Sequence, residues 1–160
     1  MIIKCMFKNN SINLFKAIFL FILFLCFSSN SFAQMTMKFE DFSTWIKDKD
    51  LAGYKSTDID MDGEDYQAAF ENQGQEITVI LSSKRTIPSE KEFMKSFYQI
   101  TEFEKSGLKM MYCKKNRNSA IYIELPKLNA TLNITCVQQA IEQPVFEQMI
   151  ENLNIPAINK

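Results

Sequence analysis

Apolar residues change their spacing several times along the chain, and each change predicts a new element. Phe39, Phe42, Trp45 and Ile46 recur at intervals of three and four, with Glu40, Asp41, Lys47 and Asp48 between them. That is one apolar stripe on a helix, expected over 38–49 and ending before Gly53. The period then drops to two. Three strand-like runs follow at 54–61, 64–72 and 75–83, separated by the hairpin dipeptides Asp62-Gly63 and Gln73-Gly74. With those pairs as turn centres, Ile59 falls opposite Tyr66. Tyr66, Ala68 and Phe70 then share one face with Ile77, Val79 and Leu81. A slip of one residue would turn that whole set to solvent, so the pattern itself argues for the register.

Helical spacing returns after Pro88. Ser89 and Glu92 have the spacing of a capping box, and Phe93, Met94, Phe97, Ile100 and Thr101 form an inward stripe, with Gly107 as the stop. One long helix is expected there. Three further strands read at 108–115, 119–125 and 129–137. In the last two, Ile121, Ile123 and Leu125 oppose Ala130, Leu132 and Ile134 across a turn at 126–129. Pro144 opens a final helix, where its missing N–H has no partner to lose, and Phe146, Met149, Ile150 and Leu153 form its apolar stripe.

The order α-βββ-α-βββ-α predicts an α+β domain with a six-stranded, mainly antiparallel sheet in two three-stranded sets packed by helices. The halves share a layout but no residue-level repeat. Gln67, Glu71, Tyr122 and Glu124 point away from the apolar face, so part of the other face is expected to be open.

The first 33 residues do not belong to that pattern. Their uninterrupted apolar run, residues 17–27, makes a helix of roughly 17 Å against a hydrocarbon core of roughly 30 Å, too short for a permanent span. Lys4, Lys8 and Lys16 precede the run, no acid occurs before Glu40, and Ser31-Phe32-Ala33 places small residues where a signal peptidase reads them. A secretory signal cut between Ala33 and Gln34 is expected, with an uncleaved anchor as the rival. A lipid tether at Cys26 would need small residues before it, and Phe24 and Leu25 are bulky. The Phe-Ala-Gln end resembles export signals of Bacteroidota, and that resemblance covers the signal alone. It implies a bacterial protein of the periplasm or outer surface.

Removing the leader takes three of 18 basic residues and none of 19 acids, leaving 15 minus 19, or −4, on the single domain 34–160. Such a global charge gives no reason to expect nucleic acid or an anionic membrane as partner. The chain contains no histidine. Ser-His-Asp and Cys-His catalysis and imidazole ligation of zinc or haem are therefore excluded. Glycine-rich phosphate loops and the Gly-x-Ser-x-Gly elbow are missing as well.

Four features invite a chemical reading. Asp58, Asp60, Asp62 and Gly63 match the opening of a calcium loop, and Glu64 and Asp65 extend the acidic run, but the position that demands a bidentate Glu is Ala69. A hairpin with acids on its wet face is the simpler reading. Cys113 and Cys136, left after signal removal, would pair by compartment alone. In a simple meander, however, they flank the middle strand roughly 9–10 Å apart, beyond disulfide reach, so two reduced buried thiols are expected. Glu71 and Glu124 are the in-strand acids a carboxylate hydrolase would draw on. Lys109, Lys114, Lys115 and Arg117, with Lys105 nearby, form a basic cluster that could meet an anionic surface or glycan phosphate, with a solvated hairpin tip as the simpler reading. Sequons at Asn129 and Asn133 fit a β-strand's preference for Thr as well as they fit glycosylation.

The expectation is an exported, non-enzymatic binding or accessory module without a cofactor, whose partner is a protein or an apolar ligand. A carboxylate-dependent hydrolase and a weak calcium module are the alternatives.

Overall fold

Eight strands form one antiparallel sheet, curled into a half-barrel, in the computed structural model, which describes residues 34–159. The expected leader and its cleavage at Ala33 fall outside that range. The elements are α1 (Phe39–Ile46), β1 (Asp50–Leu51), β2 (Tyr54–Asp62), β3 (Asp65–Asn72), β4 (Gln75–Ser82), α2 (Ile87–Met94), β5 (Gln99–Lys105), β6 (Leu108–Lys115), β7 (Asn118–Leu125), β8 (Ala130–Cys136) and α3 (Gln143–Leu153). Strand order is β1-β2-β3-β4-β8-β7-β6-β5. Two meanders therefore meet at the β4–β8 pair to make one sheet, not two three-stranded sets.

Rows of side chains run across all the meanders on the inner face. One row is Ile59, Ala68, Val79, Ile134, Ile121, Tyr112 and Thr101; the next is Met61, Tyr66, Leu81, Leu132, Ile123, Met110 and Phe103. Nine of these fourteen are buried, those at the sheet's outer strands less so, and α1 and α3 close over them with Phe42, Ile46, Phe146, Met149, Ile150 and Leu153. The expected pairs Ile121–Ile134, Ile123–Leu132 and Leu125–Ala130 are present, because two strict alternations separated by a four-residue turn leave one register that buries both.

The β2–β3 register is displaced by two residues from expectation. The turn centre is Gly63-Glu64, so Ile59 opposes Ala68 and Met61 opposes Tyr66. A shift of two preserves the face, which is why the apolar rows survive it. A bulge at Thr57 then reverses the alternation upstream and turns Tyr54 inward, where its hydroxyl donates to Gln75 at 3.0 Å.

The long helix expected through Gly107 is a correction. Thr86 is the N-cap, its side chain accepting from the Ser89 N–H while the Ser89 hydroxyl accepts from the Thr86 N–H, so the helix begins three residues earlier than the Ser89–Glu92 box implied. It ends at Met94, and Gln99–Lys105 is an edge strand paired with β6. Ser106-Gly107 is a two-residue turn with positive φ at both residues, the geometry hairpins favour. Residues three apart on a strand lie on opposite faces, so Ile100 packs outward beneath α2 while Phe103 packs inward.

Candidate functional site

The acidic run is dispersed by its own strand. Asp58, Asp60 and Asp62 occupy alternate positions of β2, exposed on the outer face. Asp62 alone meets another member of the run, Asp65, across the turn. Glu64 is paired with Lys84 at 3.2 Å, and Asp65 lies 4.0 Å from the Arg85 Nε. Among the described residues no group of three His, Cys, Asp or Glu side chains has the geometry to hold a metal ion.

Glu71 and Glu124 are not brought together. Three strand steps separate them, and Glu71 is spent at a turn, accepting from the Gly74 N–H at 3.2 Å. The basic cluster is likewise divided. Lys105 faces inward and binds Glu147 and Glu151 of α3, each at 2.9 Å, while Lys114 pairs with Glu142. Lys109 lies on the outer face, leaving Lys115 and Arg117 at the β6–β7 hairpin tip.

Cys113 and Cys136 carry free, buried thiols. Asn133 is buried within β8, its amide donating to the Ile121 carbonyl at 3.3 Å, so the folded chain offers no acceptor there. Asn129 is exposed in a left-handed turn conformation.

Helix α2 runs along the outer face and creates a second, smaller core from Ile87, Met111, Cys113, Ala120 and Tyr122. Burial holds the Tyr122 phenol well above its ordinary value, and Glu90 beside it adds to the effect. Burial also pushes the Cys113 thiol up to about 12, reinforced by Glu90 and Glu102. These groups are withdrawn from solvent chemistry.

Beside the start of α2 runs an open groove of about 360 Å³ bordered by Ile87, Pro88, Glu102, Glu104, Lys109 and Glu124. Lys109 opposes Glu104 in the β5–β6 register, and the β6–β7 register carries it on to Glu124. A smaller groove of about 170 Å³ shares Glu124 and adds Arg85, Thr86 and Thr131.

At the far end of α2 the surface changes character. Phe93 and Phe97 are 72% and 60% exposed, although sequence spacing assigned both to a buried stripe. The chain turns after Met94, whose carbonyl accepts from the N–H groups of Phe97 and Tyr98, and this turn lifts Phe97 off the sheet. The Lys115 ammonium lies 5.0 Å from the Phe97 ring centre and 5.7 Å from that of Tyr98, within cation–π range. Val137, also exposed, lies at the same end of the sheet by continuation of the β7–β8 register. The signal that could have revealed this patch is Ser106-Gly107. Read as a hairpin turn, it makes 99–105 a strand and leaves Phe93 and Phe97 without a core to face.

No helix among the described residues is long and apolar enough to cross a membrane. No family model, curated protein or solved structure matches the chain.

Proposed function

We propose that this chain is an exported, non-enzymatic binding or accessory module of the bacterial periplasm or outer surface, acting through the surface at the end of α2. The observation that carries this reading is the exposure of Phe93 and Phe97 together, in a domain whose other large aromatic side chains are mostly packed. Clustered exposed apolar side chains mark contact surfaces, whereas single ones are ordinary. The missing histidine, the dispersed acids and the withdrawn thiols support a role without covalent chemistry.

A second reading, a carboxylate-dependent hydrolase, is favoured by one feature. Glu104 and Glu124 border the same groove two strand spacings apart, roughly 9–10 Å, close to the separation of acid pairs that activate water on a sugar. Glu104 is exposed, however, unlike the secluded acid that such chemistry uses.

One preparation separates the readings. Protein recovered from the exported fraction is expected to begin at Gln34 and to leave a panel of chromogenic glycosides unhydrolysed. A chain beginning at Met1 in the cytoplasm would remove the export assignment. Hydrolysis abolished by Glu124→Gln would make the protein an enzyme.

A further inference from the structure

We propose that the Phe93–Phe97 surface docks on anionic lipid bilayers, with the two rings entering the headgroup boundary and Lys115 and Arg117 meeting the phosphates. The inference rests on the binding-module reading above and names its partner.

Shape favours insertion over capture. Phe93 and Phe97 stand out from a helix end and the turn after it, so they are knobs that need a receiving medium and not the walls of a pocket. Both are phenylalanines. Their rings carry no hydrogen-bonding atom, so a hydrated glycan gains no polar contact from them, while a hydrocarbon boundary accepts the whole ring.

Charge points the same way. Close to the patch, Glu92 is held by Lys95 and Glu102 by Lys91, so each pair is neutral. Lys115 and Arg117 have no carboxylate within ion-pair distance among the described residues, and Glu90, one turn before Phe93 and outside those ion pairs, lies against Tyr122 in the outer-face core, so the two cations stand at the tip of a domain whose overall charge is negative. A positive apolar tip on an acidic body orients the molecule, since an anionic surface attracts the tip and repels the rest. Lys115 stacked on Phe97 also places a cation at ring level, where phosphates lie when the ring is inserted.

Co-sedimentation of the exported protein with vesicles tests this. Vesicles containing phosphatidylglycerol are expected to bind it, and vesicles of phosphatidylcholine alone to bind about tenfold less or not at all. Phe93→Ser with Phe97→Ser should lower affinity by about tenfold or more, and Lys115→Glu with Arg117→Glu by at least as much. Both pairs are at the surface, so unchanged circular dichroism will confirm that folding is intact. In a Phe93→Trp variant, emission should shift to the blue on adding anionic vesicles. Equal binding to both vesicle types, or binding indifferent to the phenylalanine pair, overturns the proposal. A photo-crosslinker at position 93 separates the two levels. Crosslinking to one exported protein without vesicle binding rejects the lipid and keeps the binding module, whereas neither crosslink nor vesicle binding rejects both.

Discussion

Cys113 and Cys136 flank the same strand from opposite sides and point to opposite faces of the sheet. Cys113 pairs with Ala120 and packs beneath α2, while Cys136 pairs with Ser119 and belongs to the main core. A disulfide would have to pass through the sheet. The intact mass without reductant is therefore expected to equal that of the dithiol form. Near neutral pH, a thiol reagent should label neither cysteine until the protein is denatured, since burial raises both thiols. A mass lower by about two daltons would require a different strand order.

The cap on α2 controls access to Cys113. Thr86→Ala removes the acceptor for the Ser89 N–H and should cost about 1 kcal/mol in chemical denaturation. Because α2 covers the outer-face core, the same variant should make Cys113 labelling faster while Cys136 stays protected. Equal acceleration at both thiols would show that opening is global.

Lys105 ties the edge strand to α3 and gives stability a dependence on pH. The Gln143 amide and then the Lys105 ammonium hold the Glu147 carboxyl below its ordinary value, while hydrogen bonds to Glu151 and Glu147 raise Lys105. The depressed carboxyl contributes stability that is present above the usual carboxylate range and is lost as pH falls through its folded value. The raised ammonium contributes stability that is present below the usual lysine range and is lost as pH rises through its folded value. Lys105→Met should lower Tm modestly near neutrality and flatten both limbs of the Tm–pH curve. An unchanged acid limb would show that Lys105 contributes little to Glu147.

Calcium at millimolar concentration should release no heat on mixing with the protein. Asp58, Asp60 and Asp62 stand in line on an extended strand, the outer two roughly 13 Å apart along β2, and no three carboxylates among the described residues converge as a calcium ion requires. A binding isotherm abolished by Asp60→Asn would contradict this geometry.

Where two periodicities competed, the sequence was ambiguous in a physically specific way. Ile100 and Thr101 fit a helix stripe continued from Phe93 and Phe97, and they fit a strand with one residue on each face. The choice depends on whether β6 offers an open edge, and no local propensity contains that information. The acids of the groove were lost with it: Glu104 meets Lys109 and Glu124 only because β5 and β7 flank β6. Glu124 itself was legible as an outer-face residue from the alternation of Ile121, Ile123 and Leu125. Asp62-Gly63 placed the β2–β3 turn one residue too early, since either neighbour of Gly63 can share a two-residue turn with it.

What the sequence determined alone is local and periodic: the helices at 39–46 and 143–153, six of the eight strands, the β7–β8 register and the shared inward face of the alternating apolar residues in β3, β4, β7 and β8. A residue's side within a strand follows from alternation, which the chain carries in itself. The closure of two meanders through β4 and β8, the division of the basic cluster and the exposure of Phe93 and Phe97 were decided only by tertiary structure. Each depends on which distant segment supplies the neighbouring hydrogen bonds and apolar surface, and that is a property of the assembled sheet.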